Sequence, residues 1–212
     1  MTERYSLHEA FRAKPVEETR ALYDDWATTY ERENLVKGYR LPWMGAAMLA
    51  RYLPAASGAV LDAGCGTGLV GEALSVLGYG SIIGCDLSPG MMALARSREA
   101  YADLALQDMS QRFQWPDAQF AGFICIGCFG PAHAPAASLR QMVRVTRPGG
   151  IGVFSLLDVN LDARGFGTVM RDLTETGAWR VVERTRPFRP YITGEAELLT
   201  NLFAVEVLEA PT

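Results

Sequence analysis

Lysine, histidine and cysteine are scarce in this chain of 212 residues, and each shortage excludes something. Histidine occurs twice and cysteine four times, and the only lysines are Lys14 and Lys37. Four cysteines do not make the disulfide framework of a secreted protein of this length. With lysine confined to two positions, the chain also has no Tyr-x-x-x-Lys pair, which argues against a nicotinamide-dependent oxidoreductase.

Long hydrophobic runs are also missing. The most apolar stretch, FAGFICIGCFGPAHAPAA, is interrupted by glycine, proline and histidine and does not predict a membrane span. The amino-terminal stretch MTERYSLHEAFRAKPVEETR is charged throughout and lacks the apolar segment of a signal peptide. We therefore expect a cytoplasmic protein with no membrane partner.

Positive charge is not concentrated in any part of the chain. The formal net charge is −4, and the arginines between Arg180 and Arg189 are interrupted by Glu183. A basic stripe is the usual electrostatic signature of a surface that binds nucleic acid. We therefore expect a small-molecule substrate and no nucleic-acid partner, while the sequence leaves the oligomeric state open.

One short motif raises the question of a metal site. Cys125, Cys128 and His133 have the spacing of a zinc knuckle, but the next ligand position holds Ser138. The run FICIGCF is also typical of a buried strand, in which free cysteine packs as a small hydrophobic residue. We therefore predict no metal site.

The order of the predicted elements indicates the fold class. Two helices come first, in VEETRALYDDWATTYE and LPWMGAAMLARYL, and short apolar runs then alternate with helical segments. The helix in ASLRQMVRVTRPGG is predicted to stop at Pro148. Such alternation predicts a parallel sheet covered by helices on both faces. The last two runs, WRVVERTRPF and ELLTNLFAVEVLE, have no helix between them and are predicted to pair antiparallel at the edge.

We therefore predict an α/β protein with a Rossmann-like, doubly wound, seven-stranded sheet whose final strand is antiparallel. Residues 1–212 are expected to form a single domain, with residues 57–212 as its core. Residues 1–56 are expected to form a helical lid, which would exclude water from a ligand site when it closes.

The stretch AVLDAGCGTGLVGEAL, residues 59–74, fits two motifs. Gly66, Gly68 and Gly71 match the G-x-G-x-x-G of a dinucleotide-binding turn. Gly64, Gly66 and Gly68 instead form a G-x-G-x-G run behind Asp62. A carboxylate beside this turn would repel a pyrophosphate, and it would favour a cation such as the α-ammonium of a methionine moiety.

Two further aspartates follow the next two predicted strands. Asp86 ends the second strand, where a carboxylate can accept hydrogen bonds from both hydroxyls of a ribose. Asp108 follows the third strand, where it can accept one from an adenine amino group. A single aspartate at a strand end is often only a turn former. Three in register, at Asp62, Asp86 and Asp108, favour a cationic adenosyl ligand over a doubly anionic dinucleotide.

With these positions in place, the chain resembles the class I S-adenosylmethionine-dependent methyltransferases. The resemblance rests on VLDAGCGTG, IIGCDLSPGMMALAR, LALQDM and LRQMVRVTRPGGIGVF and is sharpest between Ala59 and Phe154. A narrower resemblance, to the methyltransferase-like proteins of the Williams–Beuren critical region type and their bacterial relatives, rests on YDDWATTYE, KGYRLP, GCFGPAHAP and TETGAW.

The resemblance implies S-adenosyl-L-methionine as the cofactor and a contact for each matching residue. Tyr23 and Tyr30 would cover the methionine end, and Ile126 would lie under the sulfonium. The resemblance implies further cofactor contacts in three groups. The first is the end of the first strand and the turn after it, with Asp62, Gly64, Cys65, Gly66 and Gly68. Asp86, Leu87 and Met91 would contact the ribose and adenine, and Asp108 and Met109 the adenine edge.

His133 is the best candidate for a catalytic base because it follows the fourth predicted strand, close to the expected methyl group. A histidine with a pKa of about 6.5 can take a proton near neutrality. In the alternative interpretation, His133 only turns or caps the loop GPAHAPAA. Arg189 and Tyr191 are expected to border the substrate pocket.

The sequence thus predicts an S-adenosylmethionine-dependent methyltransferase that acts by direct displacement on an oxygen, nitrogen or carbon atom of a small molecule. Alignment of the two reactants dominates such chemistry, so few dedicated side chains are required. For the same reason, a non-catalytic regulator or partner protein that binds the cofactor is a second interpretation. A nicotinamide-dependent oxidoreductase is a third, with less support.

Overall fold

The computed structural model describes residues 15–130, 133–158, 164–194 and 198–208. A short 3₁₀ turn covers Ala55–Ser57, between the second helix and the first strand. The helices and strands follow in chain order: α1 (Val16–Val36), α2 (Leu41–Tyr52), β1 (Val60–Ala63), α3 (Leu69–Val76), β2 (Ile82–Asp86), α4 (Pro89–Ser97), β3 (Asp103–Leu106), β4 (Phe120–Cys125), α5 (Ser138–Val145), β5 (Thr146–Leu157), α6 (Phe166–Glu175), β6 (Trp179–Arg184) and β7 (Thr200–Val207).

The seven strands form one sheet in the order β3-β2-β1-β4-β5-β7-β6. Strands β1 to β5 are parallel, whereas β7 runs antiparallel to both of its neighbours, β5 and β6. The strand order reverses at β1, so the chain winds outward from the middle in both directions. This confirms the predicted doubly wound sheet and its antiparallel final strand.

Alternating side chains of the strands supply two separate cores, one on each face of the sheet. On one face, Leu61 and Phe123 pack with helices α5 and α6. On the other face, Val60 and Ile124 pack with helices α2 and α3. Successive side chains of a strand point to opposite faces, so a strand covered on both sides reads as a continuous apolar run. In the described ranges, no helix combines the length and apolarity that a membrane span requires.

The prediction for the helix before β5 was wrong at its end. Helix α5 ends at Val145, and Pro148 lies inside β5 rather than beyond a helix. The pairing of β4 with β5 shifts register between Phe120–Thr146 and Gly122–Ile151, so the intervening residues bulge out of the ladder. A bulge tolerates proline because no ladder hydrogen bond is required from its missing N–H.

The segment predicted to act as a lid contains two helices with different positions. Helix α2 belongs to the core, since Leu41, Ala46 and Leu49 pack against Val60 and Val70. Helix α1 packs instead against α4 and extends over the carboxyl ends of the strands. Only α1 is therefore placed to cover a ligand. The first 14 residues of the predicted lid lie outside the described residues.

We expect Gly122→Ala to destabilise the fold. A Cβ at Gly122 would lie 2.4 Å from the carbonyl oxygen of Ile151, a backbone atom of the neighbouring strand that cannot rotate away. Overpacking of this kind lowers the free energy of unfolding by about 1–3 kcal/mol, measured by urea denaturation. Gly80→Ala is the control, because a Cβ there meets no atom within 4 Å. Equal stability of the two variants would contradict the prediction.

Candidate functional site

A cavity lies beyond the carboxyl ends of β1 to β4, beneath helix α1. It has about 860 Å³ of empty space, counted with its opening to solvent. Its position is the one at which doubly wound sheets bind their ligands. Its walls come from the segments that follow the four strands and from one face of α1.

Most of the predicted site residues line this cavity. Those present in its wall are Tyr23, Tyr30, Gly64, Gly66, Asp86, Leu87, Met91, Asp108, Met109, Ile126 and His133. Three others do not face it: Asp62, Cys65 and Gly68. Gly68 precedes α3 in a left-handed conformation, with φ of 91°, and Cys65 is buried.

The carboxylate of Asp86 holds the glycine turn in place. One of its oxygens accepts a hydrogen bond from the Gly66 N–H and the other from the Ser88 N–H, each at 2.9 Å. Gly66 adopts φ of 53°, a conformation that favours glycine, and a Cβ there would meet no protein atom within 4 Å. Burial raises the pKa of Asp86, and the hydrogen bonds from these amides act in the opposite direction.

Packing explains why position 71, the third glycine of the G-x-G-x-x-G motif, has no side chain. A Cβ at Gly71 would lie 2.2 Å from the ring of Tyr101, whose hydroxyl accepts a hydrogen bond from the Gly71 N–H at 3.1 Å. Gly84 in β2 makes room for the same ring. Gly71 therefore seats a tyrosine between α3 and the sheet.

Asp62 lies behind the cavity wall. Its side chain has no exposed surface, and one carboxyl oxygen accepts a hydrogen bond from the Tyr101 hydroxyl at 2.6 Å. The other oxygen has no partner among the described residues. Burial raises the pKa of Asp62 to about 7, although the hydrogen bond from Tyr101 opposes the shift. The contact with a ligand ammonium thus stays a prediction.

Helix α1 is attached to the rest of the site by polar contacts along its length. The carboxylate of Asp24 accepts hydrogen bonds from the Ser88 hydroxyl at 2.5 Å and from the Gly90 N–H at 2.8 Å, at the start of α4. About two helical turns further on, Glu31 forms an ion pair with Arg98 at 2.5 Å. Both contacts orient the tyrosine-bearing face of α1 toward the cavity.

Tyr23 and His133 meet across the cavity. The Tyr23 hydroxyl forms a hydrogen bond with Nε2 of His133, and the two rings pack edge to face with centroids 5.5 Å apart. Burial lowers the pKa of His133 to about 4, and the nearby Arg164 guanidinium acts in the same direction. The imidazole is therefore neutral at physiological pH. The backbone N–H of His133 also donates to the Gly130 carbonyl, as expected for a turn.

A second cavity adjoins the first and shares Tyr23, Tyr30 and Gly127 with it. Of the two residues predicted to border a substrate pocket, Tyr191 lines this second cavity, whereas Arg189 is not in its wall. The Arg189 carbonyl instead accepts hydrogen bonds from the Arg40 guanidinium at 2.7 and 3.0 Å.

Sequence reasoning missed several residues of the first cavity. Thr19, Ser88, Gln107 and Cys128 line it. Gln107 directly precedes Asp108, and Ser88 follows Asp86 by two positions, so their places beyond strand ends could have indicated them. Cys128 was assigned to a buried strand, but β4 ends at Cys125 and the Cys128 thiol lies 3.3 Å from the Gly64 carbonyl oxygen.

Comparison with known proteins links this geometry to a family. Residues 60–150 match the family model described as a methyltransferase domain. Human methyltransferase-like protein 27 is 32% identical over 132 residues, which are 61% of this chain and 54% of that protein. The malonyl-[acyl-carrier protein] O-methyltransferase of Serratia marcescens is 39% identical over 102 residues, 46% of this chain and 38% of that protein. The chain thus spans about half or less of these relatives.

The chain is also similar to methyltransferases that are named for other substrates. The 18S rRNA (guanine(1575)-N(7))-methyltransferase of Saccharomyces cerevisiae is 43% identical over 67 residues, 32% of this chain and 24% of that protein. The structure of magnesium protoporphyrin IX methyltransferase from Synechocystis, with bound S-adenosylmethionine, superposes with a TM-score of 0.61 at 16% identity, covering 81% of this chain and 80% of that one. The structural likeness concerns the fold alone.

We expect Tyr101→Phe to destabilise the protein in a pH-dependent way. The variant removes the only described hydrogen bond to Asp62, so the pKa of the buried carboxyl rises further. Above the pKa of Asp62 in the folded protein, the carboxyl is charged and needs the hydrogen bond from Tyr101. Below that pKa the carboxyl is neutral, so losing the hydroxyl destabilises the fold less. The loss of unfolding free energy is therefore expected to be about 1–3 kcal/mol near pH 8 and smaller near pH 5.

The matched control for this experiment is Tyr52→Phe, which removes the hydroxyl that bonds Glu183 at the surface. It should show no comparable pH dependence between the same two conditions. Chemical denaturation at both pH values measures the two variants. The same loss for Tyr101→Phe at both would show that Asp62 does not ionise in this range.

Proposed function

We propose that this chain is a class I S-adenosylmethionine-dependent methyltransferase that transfers the methyl group directly to an oxygen, nitrogen or carbon atom of a small molecule. The match of residues 60–150 to a methyltransferase domain and the similarity to methyltransferase-like protein 27 support the predicted domain and cofactor, and the structural likeness supports the fold. The narrower resemblance to the Williams–Beuren type stays a prediction. The activity of the whole chain and the identity of the acceptor are the proposal.

The polar and apolar groups in the wall of the first cavity suit the parts of S-adenosylmethionine. Asp86 keeps lone pairs free for ribose hydroxyls beyond those used by Gly66 and Ser88, and Met91 and Leu87 offer apolar surface to an adenine. Asp108 and the Met109 amide lie at the expected adenine edge. The only basic side chain in the described wall apart from His133 is Arg20, which is half exposed and 3.9 Å from Asp24. Such a lining is poorly suited to a pyrophosphate.

One observation carries the proposal: the walls of the two cavities share Tyr23, Tyr30 and Gly127, which follows Ile126 in the chain. Ile126 is the residue expected under the sulfonium. When bound, S-adenosylmethionine supplies a methyl group activated by its positively charged sulfur. A second cavity that opens at this point can hold an acceptor in line with that methyl, and helix α1 keeps water away from both. Positioning of this kind is worth roughly 7–11 kcal/mol of the barrier.

His133 is the proposed proton acceptor. Its Nε2 faces the junction and forms a hydrogen bond with the Tyr23 hydroxyl. Because the imidazole is neutral at physiological pH, Nε2 can receive a proton that the acceptor loses as it is methylated, either directly or through that hydroxyl. The lowered pKa makes His133 a weaker base than a free histidine. The lowered pKa also keeps the imidazole unprotonated, and so able to accept a proton, throughout the neutral pH range.

Tritiated methyl transfer tests the proposal and its alternatives. The chain is incubated with methyl-labelled S-adenosylmethionine and a cell extract separated into a small-molecule filtrate and a retained fraction of RNA and protein. We expect the label to enter the filtrate. Label in the retained RNA or protein would overturn the small-molecule proposal. Tight cofactor binding without label in either fraction would favour the non-catalytic regulator.

We expect His133→Asn to lower kcat by about 10²- to 10⁴-fold for an acceptor that must lose a proton. Tyr23→Phe, which removes only the hydroxyl bonded to Nε2, is the companion variant. The wild-type kcat/KM should be flat between about pH 6 and 8 with respect to this group, because the pKa of His133 is about 4. An activity that rises through about pH 6.5 and loses this dependence in His133→Asn would contradict the lowered pKa.

A further inference from the structure

The second cavity is a separate chamber with its own walls. It has about 550 Å³ of empty space, counted with its opening. Apart from the three residues shared with the first cavity, its wall comes from α1, the start of α2 and the residues before it, the segment after β4, the end of β5, and the start of β7 with the segment before it.

The described residues that line the chamber carry no charged side chain. Its described wall contains no aspartate, glutamate, lysine, arginine or histidine, whereas the first cavity presents Asp86, Asp108 and His133. Burial raises the pKa of Tyr39 and of Tyr23 well above the usual value, so these phenols stay neutral. An ion that entered would lose its hydration without gaining a counter-charge, which is costly. The wall therefore selects for an uncharged molecule.

The walls are flat and held in fixed orientations. The rings of Tyr39 and Tyr191 stack with centroids 4.9 Å apart and planes 26° apart. Across the chamber, Trp26 and Tyr30 pack edge to face, also at 4.9 Å. The buried hydroxyl of Tyr191 donates to the Asn34 side-chain oxygen at 2.7 Å, which fixes the ring against α1. Aromatic walls in offset and edge-to-face arrangements complement a planar ring.

Among the described residues, two hydroxyls of the chamber lie near the residues that it shares with the first cavity. The hydroxyls of Tyr30 and Tyr39 bond to no other group in the described part of the chain. A Cβ at Gly127 would lie 2.8 Å from the Tyr39 hydroxyl oxygen, which places that hydroxyl at the junction. The Ser155 hydroxyl accepts from the Gly127 N–H at 2.7 Å. Thr200, farther away, already donates to the Leu156 carbonyl.

From these features we infer that the second cavity binds the methyl acceptor and that the acceptor is a small, uncharged, planar molecule whose hydroxyl points to the junction, as a phenol would place it. The inference rests on the proposed function and names the substrate class for the same site. In the reaction, the acceptor oxygen forms a bond to the methyl carbon as the carbon–sulfur bond breaks. The electron pair of that bond stays on sulfur, and the hydroxyl proton passes to His133.

An aromatic chamber could instead bind an organic cation over its ring faces. The absence of a carboxylate from the described wall favours the neutral molecule. The two classes are separated by para-substituted phenols of different charge, namely 4-methylphenol, 4-hydroxybenzoate and tyramine. Each carries the same hydroxyl, and only the group opposite to it changes from neutral to anionic to cationic.

The experiment is a calorimetric titration of these three phenols into the protein saturated with S-adenosylhomocysteine. The demethylated cofactor fills the first cavity and permits no turnover, so binding is read independently of activity. We expect 4-methylphenol to bind at least about tenfold more tightly than either charged phenol. Tighter binding of tyramine or of 4-hydroxybenzoate, or no saturable binding of 4-methylphenol, would overturn the inference.

Two variants locate the binding. Leu198→Trp adds bulk to the wall of the second cavity and should abolish binding of 4-methylphenol while S-adenosylhomocysteine still binds. Leu199→Trp is the matched control, since Leu199 is 40% exposed and is not part of that wall. If Leu198→Trp impairs folding, Tyr39→Phe repeats the test without added bulk, with an expected loss of affinity.

The outcomes also separate this inference from the proposed function. Unchanged binding of 4-methylphenol in Leu198→Trp that still binds the demethylated cofactor would place the acceptor elsewhere and overturn the inference alone. Failure of the wild-type protein to bind S-adenosylhomocysteine would overturn the proposed function and, with it, the inference.

Discussion

The carboxylate of Asp86 connects the three parts of the molecule that form the cofactor cavity. It ends β2, accepts a hydrogen bond from Gly66 in the turn after β1, and accepts another from Ser88 at the start of α4. Ser88 in turn donates to Asp24 of helix α1. A half-buried carboxylate is tolerated here because backbone amides satisfy it, and hydrogen bonds to an ionised acceptor are stronger than neutral ones. Without it, the glycine turn and the cover of the cavity would lose their common anchor.

The two adjoining cavities differ in the polar groups of their walls. The first cavity has carboxylates and backbone amides, as suits the ribose and purine of a nucleoside. The described wall of the second is mainly aromatic and carries no charged side chain, and the Tyr30 and Tyr39 hydroxyls bond to no other described group. Tyr23 and Tyr30 line both cavities, so one face of α1 would close the proposed cofactor site and shape the proposed acceptor site. Movement of this helix would open both spaces together.

Much of the fold and part of the site could be predicted because both follow from local patterns. Short apolar runs alternating with helices specify a parallel sheet, and residues at strand ends must meet at one edge of it. Asp86, Asp108 and Ile126 line the cavity wall for this reason, and their contacts with the cofactor stay a prediction. The end of α5 was not predictable in the same way. The bulge that carries Pro148 depends on the register of β5 against β4, which no local pattern contains.

Local patterns in the sequence were enough to predict the sheet, the cofactor class and the residues that follow each strand, since each depends on neighbours along the chain. Which of those residues face the cavity depends on contacts between distant segments. Tyr101 buries Asp62 from 39 positions away, and it also explains Gly71. The aromatic chamber joins Trp26, Tyr39 and Tyr191, which are brought together only when α1 and the segment before β7 pack on the same edge of the sheet. Contacts between distant segments set burial, and burial sets pKa, charge preference and shape.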